Sequence, residues 1–100
     1  MRKSTLSRIP GLDPGIEAAV NALRAAGVPT YESCEGGVGH SFPEPTVRFG
    51  GNYAEGIEAL GIALQYEAAI GLRVYQLRRV WRMDYGELTG PWWDLVFRRG

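Results

Sequence analysis

Two stretches of the chain space their apolar residues as an amphipathic helix does. In the first stretch, the apolar positions that follow the 3.6-residue period are Ile16, Ala19, Val20, Leu23 and Ala26. Asp13 is a favourable N-cap and Pro14 suits the first helical position, whereas Gly27 suits the residue after a helix. The pattern therefore predicts a helix that begins near Asp13 and stops before Gly27.

The second helical stretch follows Asn52, where Glu55 completes an N-cap-x-x-Glu capping box. The residues that share one face of this predicted helix are Tyr53, Ile57, Leu60, Leu64 and Ala68. Gly56 and Gly61 each lower the intrinsic helix propensity by about 1 kcal/mol relative to alanine. We expect these two glycines to allow close packing of the helix on a sheet, and Gly71 to end it.

Four other stretches have the composition or the alternation of β-strands, namely residues 30–33, 46–49, 72–83 and 91–98. In the third, apolar residues occur at both odd and even positions, which predicts a β-bulge or two apolar surroundings. The element order is α-β-β-α-β-β, with short connections within each strand pair. It predicts an α+β two-layer sandwich, in which two helices cover one face of a four-stranded, mainly antiparallel sheet.

The composition is that of one globular domain of 100 residues. We expect residues 1–11, which are polar and end in Pro10-Gly11, to form a flexible N-terminal arm, and residues 12–100 to form the domain. The formal net charge is zero, from 11 basic and 11 acidic residues. No overall charge therefore attracts nucleic acid or an anionic membrane.

A single cysteine forms no intrachain disulfide, so the sequence does not indicate an oxidising compartment. No apolar run has the length of a signal peptide or of a membrane span. These features predict a cytoplasmic protein without a membrane partner. We expect a monomer or a homodimer, since the adjacent Trp92 and Trp93 are compatible with a dimer contact.

The clearest candidate for a site is the loop from Cys34 to His40, which contains the only cysteine and the only histidine. Three glycines lie between them, and glycine allows positive φ or close approach of the backbone to a ligand. Acidic and basic side chains lie near the loop in the sequence. The predicted site residues are Glu32, Ser33, Cys34, Glu35, Gly36, Gly37, His40, Glu44 and Arg48.

Three kinds of chemistry fit this loop. Cys34 as a nucleophile with His40 as the base would make the protein an enzyme, with Glu35 as a further catalytic candidate. Cys34 and His40 could instead hold zinc, although structural zinc sites use several cysteines, and we therefore expect no metal or other cofactor. In the third arrangement, the backbone N–H groups of Gly36 and Gly37 cradle an anion beside Arg48, or the glycines serve only to turn the chain.

A second candidate is the C-terminal hairpin, where Arg78, Arg79 and Arg82 alternate with aromatic residues. Arginine and aromatic side chains on a sheet bind single-stranded nucleic acid through phosphate contacts and base stacking. The same pattern is typical of a solvated strand with aromatic residues in the core, and the zero net charge favours that interpretation. Nucleic-acid binding is therefore an alternative prediction.

The segment from Gly27 to His40, followed by Pro43-Glu44-Pro45-Thr46-Val47-Arg48-Phe49, resembles small uncharacterised proteins of bacteria and their phages. Those proteins carry a Ser-Cys-Glu-Gly-rich segment that ends in Gly-His, and then a Pro-Glu-Pro-Thr-Val-Arg-Phe strand. The resemblance covers most of the chain from residue 12 onward. It implies a shared site in a phage or mobile-element setting, and it implies no established activity.

Ser33, Cys34 and Gly36 are also similar to the Ser-Ser-Cys-Ser-Gly-Arg segment of the wybutosine-synthesis tRNA methyltransferase family. This chain has Glu35 and Gly37 where that family has serine and arginine, and it is shorter. The similarity implies work linked to RNA. From the residues themselves, we predict a small binding or regulatory module that recognises a small ligand or a partner protein through the Cys34–His40 loop, with an enzyme as the first alternative.

Overall fold

The computed structural model describes residues 15–39 and 42–99 and has an α+β fold. Its elements are α1 (Glu17–Ala25), β1 (Thr30–Cys34), β2 (Thr46–Phe49), α2 (Tyr53–Gln65), α3 (Glu67–Ile70), β3 (Arg73–Asp84) and β4 (Glu87–Arg98). The four strands form one antiparallel sheet in the order β1-β2-β4-β3. The predicted fold class is confirmed, whereas the prediction for residues 1–11 lies outside the described part of the chain.

The main core lies between the helices and one face of the sheet, which we call the helix-covered face. Alternate residues of β2 and β4 point to this side because successive strand residues face opposite sides of a sheet. The buried apolar residues are Ile16, Ala19, Val20, Leu23, Val47, Phe49, Ala59, Ala63, Ile70, Leu72, Trp93, Leu95 and Phe97. The helices and the sheet therefore form the two layers of the domain.

Helix α1 begins later than the sequence predicts. It starts at Glu17, and Gly15 and Ile16 form a turn before it, whereas a start near Asp13 was expected. The backbone N–H of Gly15 donates a hydrogen bond to the Glu35 carboxylate at 2.8 Å, which ties the turn to the loop after β1. Capping rules consider only neighbouring residues and therefore do not predict this tertiary contact. Asp13 itself lies outside the described residues.

Helix α2 confirms the predicted capping box but turns a different face to the sheet. Asn52 accepts from the Glu55 N–H at 2.8 Å, and the Glu55 carboxylate accepts from the Asn52 N–H at 2.7 Å. The buried residues of α2 are Gly56, Ala59 and Ala63, whereas Tyr53, Ile57 and Leu64 of the predicted face are exposed. The face that carries the large apolar residues is therefore mostly exposed, although Leu60 packs against the core.

The indole of Trp93 explains the orientation of α2. A Cβ atom on Gly56 would overlap the Trp93 ring, so the helix approaches the sheet along its small residues. Gly61 has no atom within 4 Å of a Cβ position, and the expectation that it serves close packing is wrong. The single helix predicted between Asn52 and Gly71 is divided at Tyr66 into α2 and α3. Gly71 adopts the left-handed conformation with φ of 80° and ends α3.

Strands β3 and β4 form a long hairpin that extends beyond the rest of the sheet. Register shifts occur at Val74/Gln76 and at Val80/Arg82, which confirms the predicted irregularity of β3. Strand β4 begins at Glu87, earlier than the predicted start at residue 91, and β2 pairs only with residues 93–96. We call residues 81–92 the distal hairpin, because β3 and β4 pair there only with each other.

Candidate functional site

The second face of the sheet, which we call the polar face, carries a buried ion pair at its centre. Arg48 of β2 and Asp94 of β4 are register partners, and the two residues are only 7% and 3% exposed. Arg48 Nε donates to Asp94 Oδ1 at 2.6 Å, and Nη2 donates to Oδ2 at 2.7 Å. This two-point contact fixes the plane of the guanidinium.

The electrostatics of Arg48 follow from these contacts. Its hydrogen bonds to Asp94 raise the pKa of the guanidinium, and they outweigh the opposite effect of burial. The ring of Phe42 lies 5.3 Å from the guanidinium carbon and adds a cation–π contact. Arg48 is therefore a charged group with a fixed position on the polar face.

Glu32 of β1 connects this buried pair to the distal hairpin. Its Oε1 atom lies 3.8 Å from Nη1 of Arg48 and 3.3 Å from Nη1 of Arg82. Arg82 belongs to β3, the opposite edge of the sheet, so the hairpin brings its polar side toward β1. Both Glu32 and Arg82 have partly exposed side chains, unlike Arg48 and Asp94.

Two residues of the distal hairpin complete the cluster. Arg82 Nη2 donates to Asp84 Oδ1 at 3.0 Å, and the Thr89 hydroxyl donates to Asp84 Oδ2 at 2.7 Å. The hydrogen bond from Thr89, followed by that from Arg82, lowers the pKa of Asp84 below its ordinary value. We call the six residues the polar network: Glu32, Arg48, Arg82, Asp84, Thr89 and Asp94.

The thiol of Cys34 lies on the polar face but is enclosed. Cys34 is 3% exposed, its sulfur accepts from the Gly36 N–H at 3.4 Å, and it lies 4.0 Å from the Phe42 carbonyl oxygen. His40, which was predicted to act with Cys34, lies outside the described residues. The nucleophilic and metal-binding hypotheses for this pair therefore stay predictions.

Gly36 and Gly37 have structural roles in the loop. Gly36 has φ of +85°, and a Cβ there would come 2.6 Å from the backbone carbon of Glu44. The Gly37 N–H donates to the Pro43 carbonyl at 3.0 Å. Since the N–H groups of Gly36 and Gly37 both donate within the loop, these contacts favour the turning role over the predicted anion cradle.

The remaining predicted site residues are spread over different surroundings. Ser33 pairs with Val47 and therefore lies on the helix-covered face, away from Glu32 and Cys34. The Glu35 carboxylate accepts from Gly15, and its carbonyl oxygen accepts from Arg99 at 3.3 Å. Glu44 contributes its backbone, which packs on Gly36, and its carbonyl oxygen, which accepts from the Thr46 hydroxyl at 2.8 Å.

The three arginines proposed to bind nucleic acid do not share one surface. Arg78 is the register partner of Asp94 on the polar face and is exposed, and Arg82 joins the polar network. Arg79 lies on the other face, where its guanidinium carbon is 4.2 Å from the Trp93 ring and Nη1 donates to the Gly51 carbonyl at 2.9 Å. The structure brings together Glu32, Arg48 and Arg82, which the sequence placed in two separate sites.

Four residues of the site were not predicted from the sequence: Asp94, Asp84, Thr89 and Phe42. A signal for Asp94 existed, because it is the one charged residue between the apolar positions 92 and 97. A charge inside an apolar strand requires a partner. The other three residues gave no such signal, since their contacts depend on the path of the hairpin and of the loop.

No family model, curated protein or solved structure matches this chain. In the described part of the chain, no group of three or more His, Cys, Asp or Glu residues is arranged to hold a metal ion. Among the same residues, no helix is both long enough and apolar enough to cross a membrane.

Proposed function

We propose that this protein is a small binding module that recognises an anionic ligand, a carboxylate or a phosphate, on its polar face. Arg48 and Arg82 would contact the anion, and Asp94 would hold Arg48 in place. The site adjoins the Cys34–His40 loop, since Glu32 precedes that loop and Arg48 follows it. The proposal thus gives a chemical class to the predicted ligand-binding module.

One observation carries the proposal: a single carboxylate oxygen of Glu32 faces two guanidinium groups. It lies 3.3 Å from Arg82 and 3.8 Å from Arg48. The longer of these distances is beyond a hydrogen bond. A guanidinium has five N–H donors, and Asp94 uses two of those of Arg48. Among the described residues, no hydrogen bond involves Nη1 of Arg48, which leaves this nitrogen as a donor for a ligand oxygen.

Exchange of Glu32 for a ligand is energetically plausible. Exposed ion pairs contribute roughly 0 to 1 kcal/mol, so release of the partly exposed Glu32 side chain costs little. A ligand oxygen that hydrogen-bonds to both arginines gains charge-assisted contacts of about 1.5 to 3 kcal/mol each. Because Asp94 already orders Arg48, the entropy cost of arranging that side chain falls outside the binding step.

Aromatic side chains next to the network offer contact for an apolar part of the ligand. Tyr31 and Trp92 meet edge to face with ring centroids 5.1 Å apart, and Trp92 lies two positions before Asp94 on the same face. The Phe42 ring lies 5.3 Å from the guanidinium carbon of Arg48. Such a combination of a few fixed charges and aromatic walls is typical of small-molecule sites.

NMR titration with inorganic phosphate, and separately with acetate, tests the proposal. We expect saturable shifts of the Nε–Hε signals of Arg48 and Arg82, and about tenfold weaker binding after Arg82→Gln, as loss of one charge-assisted contact predicts. Arg98→Gln is the matched control, since Arg98 is exposed and lies beside Arg73 and Arg99 at the far end of the hairpin. Shifts confined to Arg73, Arg98 and Arg99 would reject the site.

The variant Glu32→Gln sharpens the test, because it removes the charge that competes for both guanidinium groups. We expect Glu32→Gln to bind phosphate or acetate several-fold more tightly than the wild type. The control Arg98→Gln should bind them with the affinity of the wild type. Weaker binding after Glu32→Gln would show that Glu32 is not a competitor and would contradict the exchange.

A single-stranded oligonucleotide as a third probe distinguishes a free anion from nucleic-acid phosphate. Arg78 and Arg82 lie on the same face as Trp92, which supports this source of phosphate. Binding that weakens steeply with salt and is lost after Arg82→Gln would assign the anion to nucleic acid. Binding of phosphate or acetate without the oligonucleotide would assign it to a small ligand.

A further inference from the structure

The distal hairpin has one apolar side and one polar side. Met83 and Leu88 are register partners and therefore point to the same side. Trp81 lies two residues before Met83 and shares that side, whereas Arg82 and Asp84 point to the other. The hairpin is thus amphipathic beyond the point where the rest of the sheet ends.

The side chains of Arg82, Asp84 and Thr89 on the polar side find partners within the chain, whereas the apolar side is exposed. Arg82 contacts Glu32 and Asp84, and Thr89 donates to Asp84, as described above. The apolar side chains remain 56% (Trp81), 65% (Met83) and 61% (Leu88) exposed. A two-stranded hairpin is marginal in water unless one of its faces is packed, so this exposed apolar side calls for a partner surface.

Two exposed apolar residues at the beginning of helix α2 lie on the same side of the sheet as the apolar side of the hairpin. The Tyr53 ring lies 5.7 Å from that of Trp93, at the base of the hairpin, and Ile57 follows one helical turn later. Tyr85, at the tip, is fully exposed. We call the six residues the hairpin patch: Tyr53, Ile57, Trp81, Met83, Tyr85 and Leu88.

The exposed area of the hairpin patch matches what one side of a stable interface needs. With about 200 Å² for a large side chain, the exposed fractions of the six residues amount to roughly 800 Å². A standard protein interface buries about 800 Å² on each partner. Complete burial of the patch would therefore supply the area that a specific complex needs on one partner.

We propose that the hairpin patch is the interface of a homodimer, in which a two-fold axis packs the patch of one copy on that of the other. All six side chains are uncharged. Arg79 lies on the same side of the sheet, where its guanidinium is held over the Trp93 ring and hydrogen-bonded to the Gly51 carbonyl. The formal net charge of zero also removes long-range repulsion between copies. A nucleic acid or an anionic membrane would instead require a cluster of basic side chains within the patch, whereas Arg79 beside it is engaged with Trp93 and Gly51.

The dimer uses the face of the hairpin and not its edge. Strand β3 is at the edge of the sheet and carries the exposed residues Arg73, Arg78, Arg79 and Arg82. Edge-to-edge pairing of two β3 strands would bring these arginines close together, which opposes that arrangement. Face-to-face packing places Trp81 at the centre of the contact, where large aromatic residues contribute most to binding.

Sedimentation velocity from about 1 μM to about 1 mM tests the proposal by following the dissociation constant. We expect the wild type to dimerise, and the double substitution Met83→Lys/Leu88→Lys to raise the dissociation constant at least about tenfold. Leu64→Lys is the matched control, because Leu64 is an equally exposed apolar residue at the other end of α2. We expect this control to dimerise like the wild type.

A second variant keeps the test valid if the lysines disturb the hairpin. Tyr85 has φ of 52°, a conformation that asparagine tolerates well, so Tyr85→Asn removes the ring without straining the turn. We expect several-fold weaker dimerisation with an unchanged circular dichroism spectrum. A wild type that stays monomeric throughout would overturn the proposal, and so would a dimer insensitive to all hairpin substitutions. Binding of the monomer to phosphatidylcholine vesicles, lost with the same substitutions, would overturn it in favour of a lipid surface.

Discussion

The two faces of the sheet are built from alternate residues of the same strands and are held by different forces. In β2, Val47 and Phe49 pack under the helices, whereas Arg48 between them forms the buried pair with Asp94. Burial of apolar side chains is favourable wherever their shapes fit, so the helix-covered face depends on complementary volumes. The polar face depends on two charges that each need the other.

This difference bears on how much each face contributes to stability. A buried ion pair is a weak source of stability, because removal of both charges from water offsets most of their attraction. An apolar pair at positions 48 and 94 would serve the fold as well. The proposed recognition of a ligand would give a role to a fixed guanidinium beside the partly exposed Glu32 and Arg82 that the core does not require.

The contrast between the two faces predicts large effects when neighbouring residues of β4 on opposite faces are truncated. Asp94→Ala should lower the free energy of unfolding by about 3 to 5 kcal/mol, because it leaves the charge of Arg48 buried and unpaired. Leu95→Ala should cost about 2 to 5 kcal/mol through the cavity that it creates on the helix-covered face. Urea denaturation measures both effects.

Rescue then distinguishes the two faces. The double substitution Arg48→Met/Asp94→Leu should recover most of the stability lost in Asp94→Ala, since no unpaired charge remains. It should also abolish the binding of phosphate or acetate proposed above. A double variant as unstable as Asp94→Ala would mean that the polar face needs its charges for folding, and the contrast between the faces would not hold.

A smaller effect is expected on the helix-covered face at Gly56. The substitution Gly56→Ala should destabilise the protein by about 1 to 3 kcal/mol, because the added methyl group overlaps the Trp93 ring. Gly61→Ala is the matched control in the same helix, and it should stabilise by up to about 1 kcal/mol through helix propensity alone. Thermal unfolding of the two variants compares them directly, and equal shifts would contradict the packing argument.

The smallest effect concerns the pH dependence of the polar network. The folded-state pKa of Asp84 is below its ordinary value of 3.8, so its stabilising contribution is complete at neutral pH. That contribution is lost as the pH falls below about 4 and through the folded-state pKa. Thr89→Val removes the largest cause of the shift and should move the pKa of Asp84 back toward 3.8.

Carboxyl NMR titration of Asp84 measures this shift, together with unfolding between about pH 7 and pH 2. Thr30→Val is a suitable control, because the Thr30 hydroxyl accepts from Arg24, far from Asp84. An Asp84 pKa that is the same in the wild type and in Thr89→Val would show that Thr89 does not tune the network.

Much of the local structure was predictable from neighbouring residues. The capping box of Asn52 and Glu55, the end at Gly71 and the bounds of β2 depend on residues within a few positions of one another. The buried face of α2 was not predictable, because its large apolar residues suggested one face and the Trp93 ring selected another. That ring comes from a strand about 40 positions away.

The candidate site was likewise predictable in part: some of its residues were identified from the sequence, but their contacts were not. Glu32 and Arg48 were identified as ligand-binding residues from their position around the glycine loop, and Arg82 was identified separately from the arginines of the hairpin. Their meeting depends on the strand order and on the way the long hairpin places Arg82 near β1. The pairing of Arg48 with Asp94 depends on the register between β2 and β4.

The sequence by itself determined the order of the helical and strand segments, several of their ends and the alternation that gives the sheet two unlike faces. These properties follow from backbone preferences and short-range hydrogen bonds, which act between residues close in the chain. Only the tertiary structure decided which face of α2 is buried, which charges meet in the polar network and which side of the distal hairpin is exposed. Those outcomes depend on contacts between distant strands, where volume and charge must match in three dimensions.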